Sequence, residues 1–156
     1  MITTYDPEGV FFTLGEQILV GWNSISIART RPVFNTIYGI RGKHTRTISY
    51  DTSAVMKLTL PFSSEWNSYL SDIVTKDIDL GTGRCEINLK DTGGTSLFVT
   101  DQAFVTSYAD VVFDATITER VWTIQCLTTT IYKVGGTTSP TSSILDAINS
   151  GIANLF

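Results

Sequence analysis

Regular alternation of apolar and polar side chains is the feature of this sequence that most constrains its fold. Four segments place apolar residues at every second position: 24–29, 54–60, 85–89 and 122–126. Successive side chains of a β-strand point to opposite faces, so a period of two is typical of strands with one buried and one exposed face. The alternation therefore predicts a mostly β protein.

Turn composition and length agree with this prediction. Residues 91–95 include Gly93 and Gly94 and separate the strand that ends near Lys90 from a new apolar segment, which predicts a hairpin. The chain has 156 residues, of which 42% are hydrophobic and 17% charged. This length fits one domain whose core needs no metal or disulfide for support.

One segment breaks the period of two and has helical spacing instead. Residues 61–74 place apolar side chains at i, i+3, i+4, i+7 and i+8, which is one face of a helix. Ser63 or Ser64 is placed to accept a hydrogen bond from the first turn. We predict a short α-helix from Ser64 to Val74 that flanks the sheet. Its core anchors are predicted to be Trp66, Tyr69, Leu70 and Ile73.

The segment from Thr30 to Thr45 is predicted to be a long loop that connects two strands. It carries aromatic residues among basic ones, and long loops in compact domains usually have a function. This composition suits either nucleic acid or a protein partner. We favour a protein partner, because the formal charge of the chain is −4. The predicted contact residues are Arg31, Phe34, Tyr38, Arg41, Lys43 and Arg46.

Charge is distributed unevenly along the chain. Five Lys or Arg residues and no acid lie between residues 29 and 46, whereas residues 65–119 contain ten acids and three bases. Ordinary surface ion pairs produce such patterns and contribute little stability. The alternative is that complementary faces of stacked subunits set their register.

The last part of the chain differs in composition from the rest. Residues 133–141 are rich in Gly, Thr, Ser and Pro, as linkers are, and apolar residues then follow at helical spacing. We therefore divide the chain into a β domain over 1–132 and a linker with a C-terminal helical tail over 133–156. The tail is predicted to dock on a neighbouring subunit or ring through Ile144, Leu145, Ile148 and Ile152.

Residues for catalysis or metal binding are scarce. His44 is the single histidine, and the pair Asp77 and Asp79 flanks a turn, where acids commonly serve local hydrogen bonds. Cys85 and Cys126 lie on the apolar phase of their strands, which favours reduced thiols in the core. We therefore predict that the chain is not an enzyme and holds no cofactor. Apolar runs are too short to cross a bilayer, so we also predict no membrane binding.

Three motifs in a fixed order carry a family resemblance. The strand 47–60 precedes a helix whose start reads Ser64-x-x-Asn67, a Lys-Asp-x-x-Gly hairpin occupies 90–94, and a charged strand beginning at 119 leads to Trp122. Their order and spacing over residues 5–132 resemble the tail tube proteins of contractile-tailed bacteriophages.

The resemblance implies a β-sandwich or half-barrel flanked by one helix. It further implies a homohexameric ring, and rings stacked into a tube whose lumen conducts double-stranded DNA during ejection. The implied partners are the tail sheath, baseplate and tail terminator proteins. The implied location is the tail of a virion whose proteins are made in the bacterial host cytoplasm. The family has no catalytic residues.

On this interpretation the long loop bridges successive rings. Lumen-facing residues are expected on the strands 47–59 and 120–130, as a polar and acidic lining that repels DNA. The lumen-facing residues proposed from the sequence are Thr123, Gln125 and Thr129.

Two alternatives remain open from the sequence. One is the tube of a type VI secretion system or of a contractile bacteriocin, which has the same fold. The other is a monomeric β-sandwich module that binds carbohydrate or peptide. Particle size distinguishes a module, which sediments as one copy, from a tube, which sediments as rings or filaments.

Overall fold

The computed structural model describes residue 2 and residues 4–136, and within them the chain is mostly β, which confirms the predicted class. A 3-10 turn (Pro7–Gly9) precedes the first strand. The remaining elements are β1 (Val10–Leu14), β2 (Gln17–Leu19), β3 (Ser24–Arg29), β4 (Phe34–Tyr38), β5 (His44–Ile48), β6 (Ala54–Leu60), α1 (Trp66–Leu80), β7 (Cys85–Asp91), β8 (Leu97–Val105), β9 (Arg120–Thr128) and β10 (Ile131–Lys133).

The main sheet is antiparallel and has the strand order β2-β1-β7-β8-β9-β6-β3, with β10 paired to β8. Its two outermost strands, β2 and β3, are consecutive in the chain and joined by residues 20–23 alone. Seven strands spaced about 4.8 Å apart would separate the outer strands of a flat sheet by roughly 29 Å. The connection spans at most about 18 Å, so the sheet curls into a half-barrel.

The core lies inside this curled sheet and is built from the alternating residues. Cross-strand pairs such as Met56 with Ile124 and Leu58 with Trp122 place buried side chains next to each other. Each fully buried aliphatic or aromatic side chain contributes about 1.5–3 kcal/mol. The period of two seen in the sequence is therefore the pattern that builds the core.

Helix α1 covers the core and is longer than predicted. Leu70 and Val74 are buried, and Trp66, Tyr69 and Ile73 are partly buried against the same core. The helix continues six residues past Val74 to Leu80 and ends where Gly81 adopts a φ of +67°. The predicted end was wrong because residues 75–80 are mostly polar and exposed and give no apolar phase to follow.

The start of α1 is held by two side chains. The Ser64 hydroxyl accepts a 3.3 Å hydrogen bond from the Trp66 N–H, as the sequence suggested. Asn67 is buried, and its Nδ2 donates to the carbonyl oxygens of Pro61 at 3.0 Å and Ser64 at 3.1 Å. These bonds fix the turn that leads from β6 into the helix.

Both cysteines are free, as predicted. Cys126 is fully buried on β9, and the Cys85 thiol donates to the Ala103 carbonyl at 3.6 Å. Burial raises the pKa of each thiol to about 11, and for Cys85 the nearby Cys126 and Asp77 act in the same direction.

The predicted boundary at residue 132 falls within β10. Beyond that strand, the Gly135 N–H donates to the Ser96 hydroxyl at 3.0 Å, and the Gly136 carbonyl accepts from Thr95 at 3.2 Å. The start of the predicted linker is thus held against the β7–β8 turn. The tail-docking residues Ile144, Leu145, Ile148 and Ile152 lie outside the described residues, and their docking stays a prediction.

Candidate assembly surface

The segment predicted to be a long loop is a β-hairpin. Strands β4 and β5 pair in an antiparallel register, with Phe34 opposite Ile48 and Tyr38 opposite His44, as a sheet separate from the main one. All ten strand residues are exposed. Since neither face of the hairpin is buried, the sequence shows no alternation there, and the prediction of an unpaired loop was wrong.

The tip of the hairpin is a tight turn. The Gly39 N–H donates to the Lys43 carbonyl at 2.7 Å, and the Gly42 N–H donates to the Gly39 carbonyl at 3.0 Å. Gly42 has a φ of +80°, which glycine adopts without the steric cost of a side chain. This turn places Ile40 and Arg41 at the most distant point of the hairpin.

The base of the hairpin is attached to the body through Asp51. Its carboxylate forms a 3.6 Å ion pair with Arg31, and its carbonyl accepts a 2.6 Å hydrogen bond from Arg29 Nη2. Hydrogen bonds from Ser53 are the main cause of a lowered pKa for Asp51, and the two arginines act in the same direction. Asp51 therefore stays ionised at neutral pH and orients the chain where it leaves β3.

One face of the hairpin carries an aromatic and cationic group. The Arg46 guanidinium lies 4.2 Å from the ring centroid of Phe34, within the range of a cation–π interaction. The rings of Tyr38 and His44 meet edge to face at 4.7 Å. These contacts hold the side chains in place without covering them.

Large apolar side chains are unusually exposed on this hairpin. The exposed fractions are 58% for Ile37 and 71% for Tyr38, and Ile40 is fully exposed. Contiguous apolar exposure on a soluble protein usually marks an interaction site. An isolated two-stranded hairpin is at best marginally stable in water. The hairpin thus has the properties of a segment that is covered by another molecule.

The six residues predicted to contact another subunit do not form one cluster on the hairpin. Phe34, Tyr38 and Arg46 share one face, and Arg41 and Lys43 lie at the tip. Arg31 is at the base, paired with Asp51.

Two of the three predicted lumen residues, Thr123 and Gln125, lie on the face of β9 that points away from the core. Thr123 is opposite Lys57 of β6, and Gln125 donates to the Ala54 carbonyl at 3.4 Å. Thr129 follows the strand and donates to the Thr52 carbonyl at 2.6 Å. The outward positions of β6 and β9 contain no carboxylate, so these strands do not provide the acidic part of the expected lining.

An apolar groove was missed by sequence reasoning. It has a volume of about 480 Å³ and lies between the 3-10 turn, β1, β2 and the connection to β3. Phe11, Ile18 and Val20 are exposed along it, Trp22 is partly buried, and Glu8 lines one end. The sequence does contain an indication of this groove. Ile18 and Val20 are apolar residues two positions apart, so they lie on the same face of β2 and the residue that follows it.

A second missed surface is the connection between β8 and β9. Residues 106–119 expose the apolar side chains of Val111, Val112, Phe113 and Ile117 beside acidic Asp110 and Asp114. This connection runs along α1, where the hydroxyls of Tyr108 and Thr75 lie 2.9 Å apart.

Residue 2 and residues 4–136 contain no group of three or more His, Cys, Asp or Glu side chains placed to hold a metal ion. The helices in this part of the chain do not combine the length and hydropathy needed to cross a bilayer.

Comparison with known proteins gives matches in both sequence and fold. No protein-family model matches the chain. A structural protein, ORF10, of Pseudomonas phage KPP10 is 26% identical over 164 residues, which cover 98% of this chain and 94% of that protein.

Among solved structures, the tube-terminating cap of the anti-feeding prophage matches with a TM-score of 0.57 and 16% identity, over 88% of this chain and 95% of that one. The sheath–tube complex of the extracellular contractile injection system PVC matches with a TM-score of 0.55 and 19% identity, over 86% and 92%. The chain has the fold of contractile-system tube proteins. The resemblance to tail tube proteins that the sequence indicated is thereby confirmed. The shared fold is the curled antiparallel sheet covered by one helix.

Proposed function

We propose that the chain is a structural subunit of the tail tube of a contractile-tailed phage. In this proposal hexameric rings stack into a tube whose lumen conducts double-stranded DNA during ejection. The observation that carries it is the exposed apolar and basic hairpin, which projects from a half-barrel with the tube-type fold. The phage structural protein that matches almost the whole chain supports a phage tail over other contractile systems.

The two free edges of the half-barrel supply the ring contacts in this proposal. Strands β2 and β3 end the main sheet without a neighbour on their outer side among the described residues. Exposed strand edges favour pairing with another chain, and pairing around a ring removes them. A barrel built from several such sheets has enough strands to enclose an open channel.

The other surfaces then have distinct tasks. The hairpin bridges successive rings, α1 lies on the outer wall towards the sheath, and the outward faces of β6 and β9 line the lumen. Lys57 is the single basic residue on those two faces, which limits electrostatic retention of DNA. Baseplate and terminator proteins would bind the two ends of the stack, within a virion whose tail proteins are made in the host cytoplasm.

A tube-terminating ring is the second candidate. The match to the anti-feeding prophage cap favours it, because that protein is a tube-terminating cap. A terminator subunit forms one ring, whereas a tube subunit forms stacks.

Negative-stain electron microscopy and sedimentation velocity of the purified chain test the proposal. We expect hexameric rings with a central channel that stack into tubes as concentration rises. Rings that never stack would support the terminator. A species that sediments as a single copy at every concentration would overturn both candidates and favour a monomeric binding module.

A further inference from the structure

We infer that the β4–β5 hairpin of one copy docks into the apolar groove of a second copy, in the next ring of the stack. The groove is the one lined by Phe11, Ile18, Val20 and Trp22. The inference rests on the proposed function, and it identifies the surface that receives the hairpin.

The groove has the chemistry that the hairpin needs. Phe11 and Ile18 lie on the outward face of β1 and β2, because their neighbours Phe12 and Leu19 are buried in the core. Its volume of about 480 Å³ suits large side chains such as those of Tyr38 and Ile40. Burial of these exposed side chains against one another is favourable for both surfaces.

Charge favours the N-terminal part of the chain, which contains this groove, as a partner for the hairpin. Residues 4–28 contain three acids, Asp6, Glu8 and Glu16, and no Lys or Arg. Residues 34–48, which form the hairpin, contain Arg41, Lys43 and Arg46 and no acid. Opposite charges around an apolar contact set its orientation and raise its rate of formation. The basic hairpin therefore suits Glu8, which lines the groove, while Lys90 lies opposite Phe11 on the neighbouring strand.

The arrangement also makes the stack polar, with different surfaces at its two ends. The hairpin is exposed on both faces in its own chain, so it is not seated in its own groove. Two different surfaces that bind each other form a head-to-tail contact. When this contact runs along the axis of the stack, it repeats from ring to ring and does not form a closed assembly. Each ring would then present hairpins at one end and grooves at the other.

Connection 106–119 is the competing receiver, since it is also acidic and apolar. In this connection the ring of Phe113 already packs edge to face on Phe62, with the ring centroids 6.3 Å apart. The cavity beside it is about 130 Å³, which is too small for the hairpin tip. We therefore assign the groove.

Single substitutions to Asp separate these surfaces. Ile40→Asp blocks the hairpin, Ile18→Asp blocks the groove, and Ile117→Asp blocks the competing connection. Ile78→Asp, an exposed position on α1, is the matched control. We expect Ile40→Asp and Ile18→Asp to form rings, because pairing at the β2 edge uses backbone groups and not the Ile18 side chain. Both variants should lower the fraction of protein in tubes by roughly tenfold or more. Ile78→Asp and Ile117→Asp should assemble as the unmodified chain does.

Mixing the two blocked variants gives the sharper result. Rings of Ile40→Asp keep an intact groove, and rings of Ile18→Asp keep an intact hairpin. The mixture should therefore form stacks two rings high that grow no further, which is measured by electron microscopy. Melting temperature identifies any variant that fails to fold, and Val20→Asp, outside a strand, replaces Ile18→Asp in that case.

The outcomes distinguish the inference from the proposed function. Normal tubes from Ile18→Asp and Val20→Asp, or loss of tubes from Ile117→Asp alone, would overturn the groove and leave the tube function standing. Absence of rings from the unmodified chain would overturn the tube function itself.

Discussion

The indole Nε1 of Trp122 donates a 3.0 Å hydrogen bond to Oδ1 of Asn67, and both side chains are buried. The two residues are 55 positions apart in the chain. Since Asn67 Nδ2 also donates to the carbonyls of Pro61 and Ser64, one buried amide joins the start of α1 to strand β9. Two of the motifs recognised in the sequence, Ser-x-x-Asn at the helix start and the Trp of the charged strand, are therefore in direct contact.

Substitution of Asn67 by Leu should therefore destabilise the chain. The Trp122 N–H would be left buried without an acceptor, which costs about 1–3 kcal/mol. Denaturant unfolding of the unassembled chain measures this change. Ser68→Ala, at the next and exposed position, is the control and should change the free energy of unfolding by less than about 0.5 kcal/mol. Equal stability of the two variants would show that the amide does not join the elements.

Truncation of Leu70 to Ala should cost about 2–5 kcal/mol in unfolding free energy. Leu70 is fully buried where α1 covers the core, so the truncation leaves a cavity. Ile78→Ala on the exposed side of the same helix should have little effect. A melting temperature unchanged by Leu70→Ala would contradict the packing of the helix on the sheet.

Removal of the hairpin should separate folding from assembly. Val33 and Ser49 are joined by a 2.7 Å hydrogen bond, so residues 34–48 can be replaced by a two-residue turn without moving the body. We expect a melting temperature close to that of the full chain, because the hairpin contributes no residue to the core. Tubes should be absent in electron micrographs. Tubes of ordinary length from this deletion would rule out the hairpin as the bridge between rings.

Alkaline pH should destabilise the chain through its two thiols. Their pKa is about 11 in the folded chain against an ordinary value of 9.0, so between pH 9 and pH 11 the unfolded state binds fewer protons. The free energy of unfolding must therefore fall as pH rises through this window, and the contribution of the thiols is complete below pH 9.

Unfolding curves from pH 8 to pH 11 measure this dependence. The variant with Cys85→Ala and Cys126→Val is the control, and its stability should fall less steeply because the remaining groups titrate as before. Parallel curves for the two proteins would show that the thiols are not protected in the folded chain.

Much of the fold was predictable from the sequence, for a physical reason. Strands β6, β7 and β9 each have one face in the core, so their residues must alternate, and the helix that covers them must show helical spacing. The end of α1 was not predictable, because residues 75–80 lack a buried side to impose a period.

The candidate site was less predictable, because its elements do not build the core. Residues 34–48 were recognised by composition, but their pairing left no apolar phase to read. The groove joins Phe11 to Ile18 and Trp22 across two turns, and such a surface exists only once β1 and β2 have paired. Sequence periodicity reports burial within a chain and gives no information on surfaces between chains.

The short bridge between Val33 and Ser49 has a consequence for how such subunits diversify. Because the chain leaves and rejoins the body at neighbouring points, the whole hairpin can be exchanged for another of different length or sequence while the body keeps its stability. Selection can thus change which subunits recognise each other without passing through unfolded intermediates. Two lineages that shared a host would become unable to co-assemble by changing this one insertion and its receiving surface.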